Sequence, residues 1–274
     1  MVGERPPPGT TTVGRVTTLP DAAVVARLRA AGCVFAEDEA ALLQAEARDA
    51  VHLDAMVAER VDGRPLEQIV GWAEFCGLRV LLEPGVFVPR VRTEHLARTA
   101  VDLARAVDRP VVVELCCGAA AVGAVVLARV GDVELVVADV DPAAVAAARR
   151  NVGDGALVLE GDLDEPLPDT LRGRVDVLVA NAPYVPSDAV GSMPPEARDH
   201  EPRVALDGGS DGLDVARRLV RAAPGWLAPG GHLVIETSRA QAPALRAAFE
   251  AAGLDTCVTR DEERDGTAVV GRRV

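Results

Sequence analysis

At 274 residues, 49% of them hydrophobic, the chain is long enough for one large domain and a small one with a sizeable core. Its formal charge is −13 and it has no lysine, so every strong cation is an arginine; this acidic balance argues against a nucleic-acid phosphate backbone as the main partner, because such binding draws on clustered cations. Five cysteines without a C-x-x-C pair and four histidines scattered along the chain predict reduced thiols in a cytoplasmic protein with no metal site.

Residues 1–18, MVGERPPPGTTTVGRVTT, lack the apolar centre of a signal peptide and are read as a disordered tail; no apolar run is long enough to span a membrane. Residues 19–62 place apolar side chains at helical spacing: Val24, Val25 and Leu28, then Leu42 and Leu43, then Val51, Leu53 and Val57. Glu37, Asp38 and Glu39 open the second helix and Gly32 is placed to stop the first. So few apolar residues per helix predict a small helical unit that docks on the larger domain or on a partner. In residues 63–94 two apolar stretches, roughly 73–82 and 86–88, flank Glu83-Pro84-Gly85 and predict a β-hairpin linker. The second arm runs into Pro89-Arg90-Val91-Arg92-Thr93-Glu94, either the border of a ligand cleft or a solvated loop.

From His95 onward strands and helices alternate, which predicts a doubly wound α/β sheet. A helix leads to the buried-strand pattern 111–115, then to the small-residue loop Cys116-Cys117-Gly118-Ala119-Ala120 and an apolar helix. That order begins a nucleotide-binding βα unit, because small residues let a ligand reach the backbone N–H groups of a helix N-terminus. The next strand, 134–138, ends in Asp139, 21 positions after Gly118, where an acid can accept hydrogen bonds from ribose hydroxyls. The competing role for Asp139 is that of a helix cap, although Asp141, just before Pro142, is better placed for it. A third strand, 156–159, brings Asp162 and Leu163 either to an adenine-binding wall or to a plain surface turn.

The fourth strand begins at Val175 and ends in Asn181-Ala182-Pro183-Tyr184. A polar amide, a restricted turn and an aromatic ring thus leave the sheet at a carboxyl end, where open α/β sheets bind ligands. The Asn181 side-chain oxygen and the Ala182 carbonyl can each accept one N–H of a planar amide or amine, and Tyr184 can stack on the substrate plane. The bland alternative is an Asx-type turn. Segment 187–211, rich in Pro, Asp and Glu, has the length of a lid. A helix over 213–227, a turn at Pro229-Gly230-Gly231, a fifth strand over 232–237, a helix over 242–253 and a final hairpin of strands 257–260 and 267–271 complete the chain.

Six blocks in order, RPLEQIVGWAEFCGL, VFVPRVRTE, VVVELCCGAAAVG with Asp139, NAPY, HEPRVALDGGSDGLD and LAPGGHLVIET, resemble the protein-(glutamine-N5) methyltransferase family, and most of all an actinobacterial-type paralogue group of it. These enzymes methylate the glutamine of the GGQ motif in class I peptide-chain release factors, and the resemblance covers nearly all of the chain after Leu19. It implies a Rossmann-like class I S-adenosylmethionine-dependent methyltransferase domain over 95–274, seven-stranded with an antiparallel last strand. The hairpin linker 63–94 and a helical substrate-recognition domain over 19–62 would precede it. Glu114, Cys116, Cys117, Gly118, Ala119 and Ala120 would then contact the methionine part of the cofactor, Asp139 the ribose, and Asp162 and Leu163 the adenine. Asn181, Ala182, Pro183 and Tyr184 would hold the acceptor amide, with Asn181 also beside the cofactor. Arg90 and Thr93 would border the cleft, and Glu201 would reach the substrate from the lid. The implied partner is a protein, a release factor or a ribosomal protein.

Two departures from the family pattern stand out. Its G-x-G-x-G loop reads Cys116, Gly118, Ala120 here, which is uncomfortable wherever φ is positive, and its N-P-P-Y reads NAPY, in which the Ala182 carbonyl can still serve. The rival readings are a nucleic-acid adenine-N6 methyltransferase, a small-molecule methyltransferase and a non-catalytic paralogue. An NAD-dependent oxidoreductase would leave NAPY and the PRVRTE block unexplained.

Overall fold

The computed structural model describes residues 20–274, so the tail expected over 1–18 lies outside the described residues. Helices α1 (Ala22–Ala30), α2 (Ala36–Glu46), α3 (Ala50–Val61) and the short α4 (Leu66–Val70) come first. Asp21 and Asp49 accept hydrogen bonds from the first-turn N–H groups of Ala23 and His52 and so cap α1 and α3. Val24, Val25, Leu28, Leu43, Met56 and Val57 close a separate small core. Val51, read from its spacing as part of that apolar face, is 81% exposed; Val57, read with it, is buried, and Met56, which the spacing did not mark, is the other buried residue of α3.

Strands β1 (Trp72–Phe75) and β2 (Leu78–Leu81) pair antiparallel with Phe75 opposite Leu78. The hairpin therefore turns at Cys76-Gly77 and not at Glu83-Pro84-Gly85. Both turn residues have positive φ, 52° and 78°, as the tight primed turns require, and Cys76 takes a place where Asn or Asp usually gives the signal. Glu83-Pro84-Gly85 forms a later bend, after which Val86 and Val88 are buried without joining a strand.

Next come α5 (Glu94–Arg105), β3 (Val111–Leu115), α6 (Ala121–Arg129), β4 (Glu134–Asp139), α7 (Pro142–Val152), β5 (Ala156–Glu160) and β6 (Val175–Ala180). The expected lid segment contains two short helices, α8 (Pro195–His200) and α9 (Arg203–Leu206). The chain ends with α10 (Asp214–Trp226), β7 (Leu227–Glu236), α11 (Ala242–Ala251), β8 (Leu254–Asp261) and β9 (Gly266–Arg273). The seven-stranded sheet runs β5-β4-β3-β6-β7-β9-β8, parallel from β5 to β7 and antiparallel through β9 and β8. Its two faces bury separate cores, one against α5, α6 and α7 and one against α10 and α11. Pro229-Gly230-Gly231 lies inside β7 and does not turn the chain. The register against β6 shifts there, and a side chain on Gly231 would come within 2.6 Å of the Val175 carbonyl oxygen, so the turn-like residues accommodate a bulge.

The helical unit docks through polar links. Gln68 Nε2 donates to the Val86 carbonyl at 3.0 Å, and Arg60 is shared between Glu39, at 2.6 Å, and Glu196 of α8. Among the described residues no helix is long and apolar enough to cross a membrane.

Candidate active site

Strand order reverses between β3 and β6, and their ends are register partners, Leu115 opposite Ala180. The loops that follow them open side by side into one cavity of about 300 Å³, at the switch point where such sheets bind ligands. One end of its wall carries Glu114, Cys116, Cys117, Gly118, Ala119, Asp139, Asp162 and Leu163; Ala120 is fully buried behind them.

Cys116, Gly118 and Ala120 have φ of 54°, 54° and 55°. The left-handed backbone is thus kept at all three positions, although only one is glycine, and each L-residue there costs about 1–2 kcal/mol. Hydrogen bonds hold the loop in place. The Gly118 N–H donates to Asp139 Oδ2 at 2.8 Å, the Ala120 N–H to the Cys117 carbonyl at 2.7 Å, and Asn151 Nδ2 of α7 to the Ala119 carbonyl at 2.8 Å. The other Asp139 oxygen accepts the Asp141 N–H at 2.9 Å, while Asp141 caps α7 through Ala143. Burial pushes the Asp139 carboxyl up, opposed by these backbone N–H donors. Burial also raises both Cys116 and Cys117, which leaves them thiols rather than nucleophiles.

Glu114 reaches the first turn of α6, where its Oε2 accepts the Gly123 N–H at 2.7 Å, and burial pushes it up to about 8. That contact explains Gly123, which the sequence reading did not single out: a side chain there would begin 2.8 Å from the same oxygen. Asp162 pairs with Arg218 of α10 at 2.8 Å, another cavity residue that no sequence signal marked.

At the other end Asn181, Ala182, Pro183 and Tyr184 meet Arg90 and Thr93. Asn181 Nδ2 donates to Thr93 Oγ1 at 3.4 Å, which leaves its Oδ1 as an acceptor. The Tyr184 hydroxyl accepts from Arg92 Nε at 2.8 Å and donates to Glu236 Oε1 at 3.4 Å, with the Arg92 guanidinium 5.8 Å from the ring centroid. Burial, then the Glu236 charge, pushes this phenol up to about 12. Arg92 belongs to the segment 89–94 that the sequence offered as a cleft border, whereas Glu236 carried no distinct sequence signal; it lies 52 positions beyond Tyr184 and is brought to it only by the neighbouring strand β7.

The backbone of the acceptor loop is clamped from outside. Gln241 Nε2 donates to the Tyr184 carbonyl at 2.9 Å, and the Gly208 N–H to the Val185 carbonyl at 2.8 Å. Side chains on Gly208 or Gly212 would come within 2.5 Å of the Pro183 carbonyl oxygen and 2.2 Å of the Tyr184 one. Glu201, expected to reach the substrate from the lid, is instead buried outside the cavity wall. Its two oxygens accept from Arg90 Nη2 at 2.7 and 2.6 Å, and Oε1 also from the Val88 N–H at 3.1 Å, so it holds Arg90 in place.

Residues 78–193 match the Methyltransferase small domain family. The chain is 37% identical over 222 residues to a release factor glutamine methyltransferase of Geobacter sulfurreducens, which covers 80% of this chain and 76% of that one. It is 38% identical over 203 residues to a 4-amino-L-phenylalanine/4-methylamino-L-phenylalanine methyltransferase of Streptomyces pristinaespiralis, with coverage of 72% and 69%. Among solved structures, a T. thermophilus 16S rRNA N2 G1207 methyltransferase in complex with AdoMet and guanosine shares the fold at a TM-score of 0.52 and 22% identity, over 74% of this chain and 50% of that one. The sheet is that of a class I methyltransferase, and with this identity over three quarters of a relative's length the chain belongs to the release factor glutamine methyltransferase family.

Proposed function

We propose that the protein is an S-adenosylmethionine-dependent methyltransferase that acts on a glutamine side-chain nitrogen of a protein, a translation release factor first among the candidates. The observation that carries this reading is the Asn181 amide, whose nitrogen is committed to Thr93 and whose oxygen is left to the cavity. The cofactor end suits a cationic ligand: Glu114 and Asp139 face it, among the described residues neither is in an ion pair, and a bound cation would offset the burial that pushes both carboxyls up. Gly118 and its neighbours would hold the methionine part, Asp139 the ribose, and Asp162 and Leu163 the adenine. When bound, S-adenosylmethionine supplies an electrophilic sulfonium methyl group.

The chain's own residues have to make a poor nucleophile react, because an amide nitrogen shares its lone pair with the carbonyl. The Asn181 Oδ1 and the Ala182 carbonyl, each accepting one N–H, orient that nitrogen and favour the positive charge that grows on it. Tyr184, held by Arg92 and Glu236, gives the acceptor plane a wall and excludes water. The reduced thiols and acidic surface fit a cytoplasmic enzyme. A second acceptor class, a free aromatic amine, is favoured by the likeness to the Streptomyces pristinaespiralis enzyme.

The test incubates the protein with radiolabelled S-adenosylmethionine and, in parallel, release factors, ribosomal proteins and 4-aminophenylalanine, followed by mass mapping. Label on a protein glutamine is the expected result, and label on the amine alone selects the second reading. Asn181→Ala should lower kcat about 100-fold, as for one lost transition-state hydrogen bond, with cofactor binding by calorimetry within about twofold. No binding of S-adenosylmethionine by the unaltered protein would mark a non-catalytic member of the family.

A further inference from the structure

Asn151 stands near the end of α7, outside the cavity wall, and its side chain joins two segments that are far apart in sequence. Its Oδ1 accepts the Leu81 N–H at 2.8 Å, and its Nδ2 donates to the Leu81 carbonyl at 2.9 Å and to the Ala119 carbonyl at 2.8 Å. The amide nitrogen is thus fully committed, since it has two hydrogens to give. Its orientation is fixed as well: a flipped amide would set N–H against the Leu81 N–H and oxygen against both carbonyls. Strand β2, which pairs with β1 alone, therefore determines that Asn151 offers a hydrogen to the cofactor loop.

That hydrogen meets the loop at a strained peptide unit. Ala119 lines the cavity, and the next residue, Ala120, is fully buried with a φ of 55°. Rotation of the 119–120 peptide unit would carry Ala120 to negative φ and relieve the strain of an L-residue in the left-handed region, a preference of about tenfold. Two hydrogen bonds oppose the rotation. One, from the Ala120 N–H to the Cys117 carbonyl at 2.7 Å, lies within the loop; the other, from Asn151 to the Ala119 carbonyl, holds it from outside. A glycine at this position would need no such tie.

We propose that Asn151 is a positioning residue which, oriented by Leu81 of β2, keeps the 119–120 peptide unit in the conformation that binds S-adenosylmethionine and so stands in for the missing third glycine of the G-x-G-x-G pattern. The inference rests on the reading of loop 116–120 as part of the cofactor site. It makes the hairpin a support of that site without any contact between hairpin and cofactor.

Two measurements on the full chain test this. In calorimetry Asn151→Ala should bind S-adenosylmethionine about tenfold more weakly, because a loop relaxed to negative φ must return before the ligand is held. Asn151→Asp keeps an acceptor for the Leu81 N–H but has no hydrogen for Ala119, and it should lose as much. Combined with Ala120→Gly, the loss caused by Asn151→Ala should shrink to less than about threefold, since glycine takes the left-handed region without strain. A general loosening of the fold would give factors that multiply instead. The second readout needs no ligand: in ¹³C,¹⁵N-labelled protein the Ala120 backbone couplings should report a positive φ in the unaltered protein and an average over both signs in Asn151→Ala. Affinity within about twofold of the unaltered protein in both Asn151 variants, factors that multiply, or an unchanged positive φ would overturn the inference. If Asn151→Ala does not fold, Asn151→Asp carries the same expectations. If the unaltered protein binds no S-adenosylmethionine while the Ala120 couplings still change with Asn151, the reading of the loop as a cofactor site falls and the clamp on Ala120 stands.

Discussion

The two ends of the cleft use glycine for different reasons. At the acceptor end Gly208 and Gly212 are needed for space, because side chains there would run into the Pro183 and Tyr184 carbonyl oxygens. At the cofactor end Gly118 has nothing within 4 Å of where a side chain would begin, and only its φ of 54° favours glycine. Its neighbours Cys116 and Ala120 accept the same conformation without being glycine. One loop is thus fixed by contact with the segment packed outside it, and the other by its own backbone and a few hydrogen bonds. Substitutions should be costly at the first and mild at the second.

The largest effect is expected for Gly212→Ala. The new Cβ would lie 2.2 Å from the Tyr184 carbonyl oxygen and 2.4 Å from Gln241 Nε2, at a φ of +77° that also disfavours alanine. Overpacking and backbone strain together should cost about 2–4 kcal/mol by urea unfolding and displace Tyr184, so that turnover falls with stability. Loss of turnover without loss of stability would mean that the acceptor loop yields more easily than its packing suggests.

Tyr184 gives an intermediate effect and is the sole tyrosine in the chain, so its titration can be read without ambiguity. Burial first, then the negative charge of Glu236, holds the phenol up to about 12, against about 10 in the unfolded chain. As pH rises, the unfolded chain loses this proton first. The contribution to stability is therefore complete below pH 10 and disappears as pH climbs to about 12. Phenolate absorbance in the folded protein should show the raised midpoint, and Glu236→Gln should lower it. A midpoint near 10 in the folded protein would place Tyr184 in water and remove the contrast between a packed end and an open one.

This contrast also sets what was legible in the sequence. The strands of the central sheet could be read because runs such as VVVEL and VDVLVA are apolar on both faces, and Asp141 before Pro142 marks a helix start by local chemistry alone. The cofactor loop is a contiguous segment, and its candidate residues do lie on or directly behind one wall. The acceptor end depends on Arg92, Glu236 and Gln241, whose partners lie 92, 52 and 57 positions away, and no local pattern announces such contacts. Where a turn or bulge is fixed by tertiary packing, as at Cys76-Gly77 and inside β7, glycine and proline misled in both directions.

The smallest effects are expected at the cofactor loop, where opposing terms can be set side by side. Gly118→Ala adds a methyl group in open space, so its cost is the left-handed strain, about 1–2 kcal/mol, less the conformational entropy of about 0.5–1 kcal/mol that glycine no longer gives up on folding. A net loss of about 1 kcal/mol should follow. Ala120→Gly removes the same strain but forfeits a fully buried methyl worth about 0.8 kcal/mol and regains glycine's entropic cost. Those terms nearly cancel, so the midpoint in urea should move by no more than about 0.5 kcal/mol in stability, and S-adenosylmethionine affinity by calorimetry should stay within about threefold. A gain above 1 kcal/mol would show that Ala120 is a strained residue retained for some other reason. A null result would mean that alanine and glycine are interchangeable here because a packed methyl group offsets an unfavourable φ.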